Sequence, residues 1–167
     1  MRKMIVGLMV LMLVIGCQQA VQEVDVEAEK AAIMKVMESS LAAWDNRNWE
    51  AFSEHFVQKL YMRYAWASKN GAWENKNWES FETNWKKGFE TDPEPKKNVH
   101  LLENPRWKVW KNVALVTFNY STQQDIDENP NYRPARWHIV FEKTVDGWKV
   151  VSSVYLNRNS WRGRVVE

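Results

Sequence analysis

Cysteine occurs once in the 167 residues and histidine three times. One cysteine excludes an intrachain disulfide framework and a cysteine-rich zinc site. Three histidines leave little for a histidine-rich centre, so neither a metal nor another cofactor is expected. An excess of charge is lacking too: 23 Lys+Arg face 21 Asp+Glu, a formal net charge of +2. With no basic block, nucleic acid is not an expected partner. The apolar run over residues 4–16 has 13 residues, short of the roughly 20 that cross a bilayer as a helix. The composition is otherwise that of a globular chain, 45% hydrophobic and 26% charged, which excludes a wholly disordered one. The length suits one domain. Eleven tryptophans are the outlying number.

The N-terminus reads as an address. Arg2 and Lys3 precede the apolar run, which ends in Leu13-Val14-Ile15-Gly16-Cys17. This resembles a bacterial lipoprotein signal, in which a small residue precedes the cysteine that takes the lipid. The expectation is a signal over 1–17 with Cys17 lipidated, then a tether over 18–27. Removing Arg2 and Lys3 leaves 21 basic residues against 21 acidic ones. Gln18 after the cysteine resembles outer-membrane sorting. The expected location is the bacterial cell envelope, lipid-anchored at the outer membrane and facing the periplasm or the cell surface. The membrane is then a partner through the lipid alone.

Helices come first in the remaining chain. Ile33, Val36, Met37, Ser40, Leu41 and Trp44 form one amphipathic stripe, with Asp25 as candidate N-cap. Asn48 is expected to cap a short second helix, and Asn77 a third carrying Trp78, Phe81, Trp85 and Phe89. Between them, Leu60, Met62, Tyr64 and Trp66 alternate as in a strand. Four antiparallel strands are expected near 99–110, 113–124, 136–144 and 148–157, with a polar loop over 125–134. Trp44-Asp45-Asn46-Arg47-Asn48-Trp49-Glu50 is echoed by Trp73-Glu74-Asn75-Lys76-Asn77-Trp78-Glu79. Two copies cannot build a solenoid, and the echo reads as one capping solution used twice.

The order of these motifs, with Trp107-Lys108-Val109-Trp110 and Asp146-Gly147-Trp148-Lys149 later, resembles the SnoaL-like branch of the nuclear-transport-factor-2-like superfamily. The likeness runs over 28–157, with 158–167 as a tail. It implies a cystatin-like α+β, cone-shaped fold. About three N-terminal helices would pack on a strongly curved antiparallel sheet and enclose a pocket. It does not imply one reaction, since the superfamily includes ketosteroid isomerase, dehydratases, epoxide hydrolases and cyclases. The isomerase positions align near Ser40, Tyr64 and Ile139, where no carboxylate stands. The His-x-His of many SnoaL-like enzymes aligns with Ser152 and Val154. Arg136 matches an arginine common at its strand start.

The expected pocket residues are Trp44, Tyr64, Trp66, Tyr120, Arg136 and His138. His138 is the one candidate catalytic group, and its face depends on the hairpin. A two-residue Asp146-Gly147 turn sets it opposite Tyr155, and a three-residue Val145-Asp146-Gly147 loop sets it on the Ser152/Val154 face. His55 and His100 are expected at the surface.

Three functions follow. The first is a membrane-anchored domain that binds an apolar or aromatic small molecule without the known catalytic residues. The second is a small lyase, isomerase or hydrolase using His138 with Asp45 or Arg136. The third is a glycan- or protein-binding module displaying Trp49, Trp73, Trp78 and Trp107 together. Homodimerisation through the open sheet face is a further expectation from the resemblance.

Overall fold

The computed structural model describes residues 24–68 and 71–158. The signal over 1–17, most of the expected tether and the tail after Arg158 lie outside them. Helix α1 (Val26–Asp45) starts where Asp25 accepts a hydrogen bond from the amide of Ala28 at 3.0 Å, satisfying one of the amides that open any helix. It thus begins two residues inside the expected tether. Glu27 and Glu29 in its first turn suit the positive helix end. Its buried stripe is Ile33, Met37, Ser40 and Leu41.

The echoed motif is a repeated cap. Asn48 accepts from the amide of Ala51 at the start of α2 (Trp49–Ser53). Asn77 and Ser80 form a reciprocal capping box on α3 (Trp78–Thr91). The two first-turn indoles then stack, Trp49 on Trp78, with centroids 6.1 Å apart. Phe52, Phe81, Trp85 and Phe89 weld α2 to α3 through ring contacts. Arg47, at φ 53°, turns the chain between α1 and α2. Its side chain is only 5% exposed; it lies over the Trp44 ring and pairs with Asp92 just beyond α3.

Strands β1 (Arg63–Ser68), β2 (Gly71–Asn75), β3 (His100–Val109), β4 (Val113–Thr122), β5 (Ala135–Thr144) and β6 (Gly147–Leu156) form one curved, unclosed sheet, ordered β2-β1-β6-β5-β4-β3. The helices pack on it, as expected of an α+β fold. Three particulars differ from expectation. β2 pairs with β1 on the edge of the sheet; four of its five residues are exposed, so it has little hydrophobic pattern to read. The sheet is not wholly antiparallel, because β1 runs parallel to β6. Part of the expected loop is a short helix, α4 (Gln123–Glu128), held by a capping box between Thr122 and Asp125.

Two bulges decide which residues face the helices. On β3 the register shifts between Glu103 and Arg106, where Asn104 has φ 51°. Trp107 and Val109 face inward opposite Val116 and Ala114. Past the bulge, the inward residues are Leu102, opposite Tyr120, and His100. On β6, Phe141 pairs with Val150 but Val140 with Ser152, so Val151 is the extra residue. Trp148 and Val150 face inward before it, and Ser153 and Tyr155 after it.

The β5–β6 turn is neither of the two expected. Thr144 pairs with Gly147 around a Val145-Asp146 loop, and Gly147 takes φ 105°, a region that suits glycine. The bulge then sets His138 opposite Val154, a position that faces away from the helices.

Candidate functional site

Between the helices and the concave side of the sheet lies a cavity of about 320 Å³. Helix α1 lends Met37, Ser40, Leu41 and Trp44, and α3 lends Trp85. The sheet lends Tyr64 and Trp66 from β1, Tyr120 from β4, Trp137 from β5, and Ser153 and Tyr155 from β6. Most of the lining is aromatic and none of it carries a charge. Burial pushes the hydroxyls of Tyr64, Tyr120 and Tyr155 above the ordinary tyrosine range, so all three stay protonated at any physiological pH. The nearby negative charges of Asp125 and Asp45 add to the effect on Tyr120.

Hydrogen-bonding capacity is unevenly used. The indole N–H of Trp137 donates to Ser153 Oγ at 2.8 Å. The indole N–H groups of Trp66 and Trp85 are buried without an acceptor among the described residues. Buried donors of this kind cost free energy unless a partner reaches them.

One polar network abuts the cavity. His100 Nδ1 lies 2.8 Å from the Tyr120 hydroxyl, and His100 Nε2 lies 2.9 Å from Asp45 Oδ2. Asn98 Nδ2 donates to the other carboxylate oxygen of Asp45 at 2.7 Å, and the amide of Lys96 donates to its backbone carbonyl. The His100 and Asp45 side chains are 13% and 12% exposed. Among the described residues no cluster of His, Cys, Asp and Glu is arranged to hold a metal ion.

Four of the six expected pocket residues line this cavity: Trp44, Tyr64, Trp66 and Tyr120. Arg136 and His138 do not. On β5 the inward residues are Trp137, Ile139 and Phe141, so their alternates face the other side. Arg136 Nη1 there donates to Asn119 Oδ1 at 2.7 Å, and His138 Nδ1 meets Thr117 Oγ1 at 3.0 Å. Partial burial and the Arg136 charge hold the His138 imidazole below its usual range. A catalytic scheme centred on His138 therefore lacks access to the cavity. The histidine beside it is His100, contrary to the expectation of a surface position.

Ser40, Tyr64 and Ile139, the positions aligned with isomerase catalytic residues, all line the cavity without a carboxylate among them. Ser152 and Val154 face away, and Ser153 takes the inward place because of the β6 bulge. The four tryptophans of the display reading do not gather on the surface. Trp49 is buried, Trp78 and Trp107 pack against the core, and only Trp73 is exposed.

Comparison with known proteins agrees with this architecture. Residues 33–155 match the sequence profile described as the SnoaL-like domain. No curated protein gives a match. Among solved structures, a nuclear transport factor 2-like superfamily protein from Salmonella enterica serovar Typhimurium is 17% identical. That match covers 84% of this chain and 97% of the Salmonella one, with a TM-score of 0.60. A cystatin-like fold protein from Burkholderia xenovorans is 14% identical over 80% of this chain and 95% of its own, with a TM-score of 0.59. A similar protein of unknown function from Shewanella oneidensis is 13% identical over 76% and 98%, at 0.58. At such identities the likeness speaks for the fold alone.

Proposed function

Because the chain belongs to the family of SnoaL-like domains, whose shared feature is a fold and not a reaction, we propose its function from the cavity alone: it binds a small, uncharged, planar or apolar molecule. The observation that carries this reading is the aromatic lining without a single charged side chain. An ionised ligand would leave water and meet no counter-charge there, at a cost of several kcal/mol. A neutral aromatic ligand would instead stack on indole and phenol faces. The cavity volume lies at the lower end of small-molecule sites, which favours one or two fused rings.

The test is calorimetric titration of the purified protein with 2-naphthol and with 2-naphthoate, its charged counterpart. The reading expects 2-naphthol to bind at least tenfold more tightly. Equal affinities, or binding of the naphthoate alone, would contradict it.

We further propose that the domain works in the bacterial envelope, tethered by lipid on Cys17. The support is the Arg2-Lys3 start, the apolar run and the Leu13-to-Cys17 motif. Metabolic labelling with a radioactive fatty acid should mark the protein, and the label should vanish in Cys17→Ser. A labelled Cys17→Ser protein, or an unlabelled wild type, would refute the tether.

A further inference from the structure

The geometry points to a hydrogen-bond polarity built into the cavity wall: Tyr120 is set by His100 and Asp45 to accept, not donate, and so selects a ligand that carries a hydroxyl. This rests on the proposed cavity and narrows its ligand to a neutral aromatic alcohol of the phenol type.

The proton order is set outward from Asp45. A carboxylate has only acceptor sites. Both oxygens of Asp45 meet donors, Oδ1 from Asn98 Nδ2 at 2.7 Å and Oδ2 from His100 Nε2 at 2.9 Å. The proton of a neutral His100 therefore sits on Nε2. Its Nδ1 is left as a bare acceptor, 2.8 Å from the Tyr120 hydroxyl. The Tyr120 O–H bond must then point at His100. The hydroxyl of Tyr120, a residue that lines the cavity, then has only lone pairs left to offer. A phenolic O–H from the ligand completes the chain, ligand to Tyr120 to His100 to Asp45, with every bond running in one direction. Such a chain polarises each member in turn. An ether or ketone at the same place would set acceptor against acceptor.

The β3 bulge is what makes this network. Without the extra residue at Asn104 and Pro105, Leu101 and Glu103 would take the inward places and His100 would face away. Asp45 reaches the network as the last residue of α1. Tyr120 is the only group of the three that touches the cavity, so it is the binding residue and the other two are positioning residues.

The experiment compares 2-naphthol with 2-methoxynaphthalene, which has the same rings but no donor. In the wild type, 2-naphthol should bind at least tenfold more tightly, and Tyr120→Phe should abolish the preference. Asp45→Asn gives the sharper readout. Its side-chain oxygen can still accept from Asn98 while its amide donates to His100 Nε2. The imidazole proton then moves to Nδ1, the Tyr120 O–H turns toward the cavity, and the preference should shift to 2-methoxynaphthalene. A residue that only supported the fold would weaken both probes equally. The nitrogen-15 shifts of His100 provide a check that needs no ligand: Nε2 should be protonated and Nδ1 bare in the wild type, and the reverse in Asp45→Asn.

Equal affinity for the two probes, or a protonated Nδ1 in the wild type, would overturn the assignment. If neither probe binds, the cavity reading itself fails, while the nitrogen shifts still decide the polarity of the network. His138→Gln, on the far face, should leave both affinities unchanged.

Discussion

Asp45→Ala should destabilise the protein through two orphaned donors, and the size of the effect follows from the hydrogen bonds. The carboxylate accepts from Asn98 Nδ2 at 2.7 Å and from His100 Nε2 at 2.9 Å. Its side chain is 12% exposed and that of His100 is 13% exposed, so water reaches neither donor freely. Each donor left without a partner costs about 1–3 kcal/mol. Partial access to solvent puts the sum near the low end, about 2–4 kcal/mol. For a domain of this size that lowers Tm by roughly 6–15 °C.

His100→Ala and the double variant complete a cycle measured by urea unfolding. The pair is a charge-assisted hydrogen bond, so its coupling energy should be about 1.5–3 kcal/mol. A loss under about 0.5 kcal/mol for Asp45→Ala, or a coupling energy near zero, would refute the reasoning, because exposed pairs behave that way.

Three other outcomes are expected. Phe81, fully buried among the rings of Phe52, Phe56, Tyr64 and Trp85, should cost about 3–5 kcal/mol as Phe81→Ala, read by denaturant unfolding. Asn104→Gly should be nearly neutral and Asn104→Val should cost about 1–2 kcal/mol, because a β-branched residue resists the positive φ there. The Glu29 carboxyl is held below its ordinary value of 4.5 by its hydrogen bonds to Lys143 and then Trp148. A depressed folded-state value stabilises above the unfolded one and loses that contribution as pH falls through the folded one. Glu29→Gln should therefore be less stable than the wild type at neutral pH, with the gap closing as pH drops below about 4.5. A gap that persists in acid would contradict the Lys143 and Trp148 bonding.

The helices were legible because their signals are local. Asp25, Asn48 and Asn77 sit where caps must sit, and the stripe from Ile33 to Trp44 repeats at helical spacing. β2 was not legible, since a five-residue edge strand with one buried position has no alternation to detect. The parallel pairing of β1 with β6 joins segments far apart in the chain, which no window on the sequence can see. The site was half legible. Trp44, Tyr64, Trp66 and Tyr120 follow from simple alternation along single elements.

His138 and His100 did not follow from alternation. The face of His138 depends on a hairpin register that the Val145-Asp146 loop and a bulge at Val151 jointly fix. His100 owes its inward place to the bulge at Asn104 and Pro105, and Asp45, its partner, is 55 residues away. The Asn-Pro dipeptide inside an alternating strand was the one available signal. Proline cannot donate to a ladder, so it marks a strand edge or a bulge, and a bulge there would have turned His100 toward Tyr120.

The central claim is that the aromatic cavity is a binding site for a neutral planar molecule. The most direct test is a crystal structure of the protein soaked with 2-naphthol. Its rings should lie between Trp44, Trp85 and Trp137, with the hydroxyl on Tyr120, and a Ser40→Phe variant that fills the cavity should show no density for the ligand. Clear density outside the cavity, or density that survives the Ser40→Phe substitution unchanged, would contradict it.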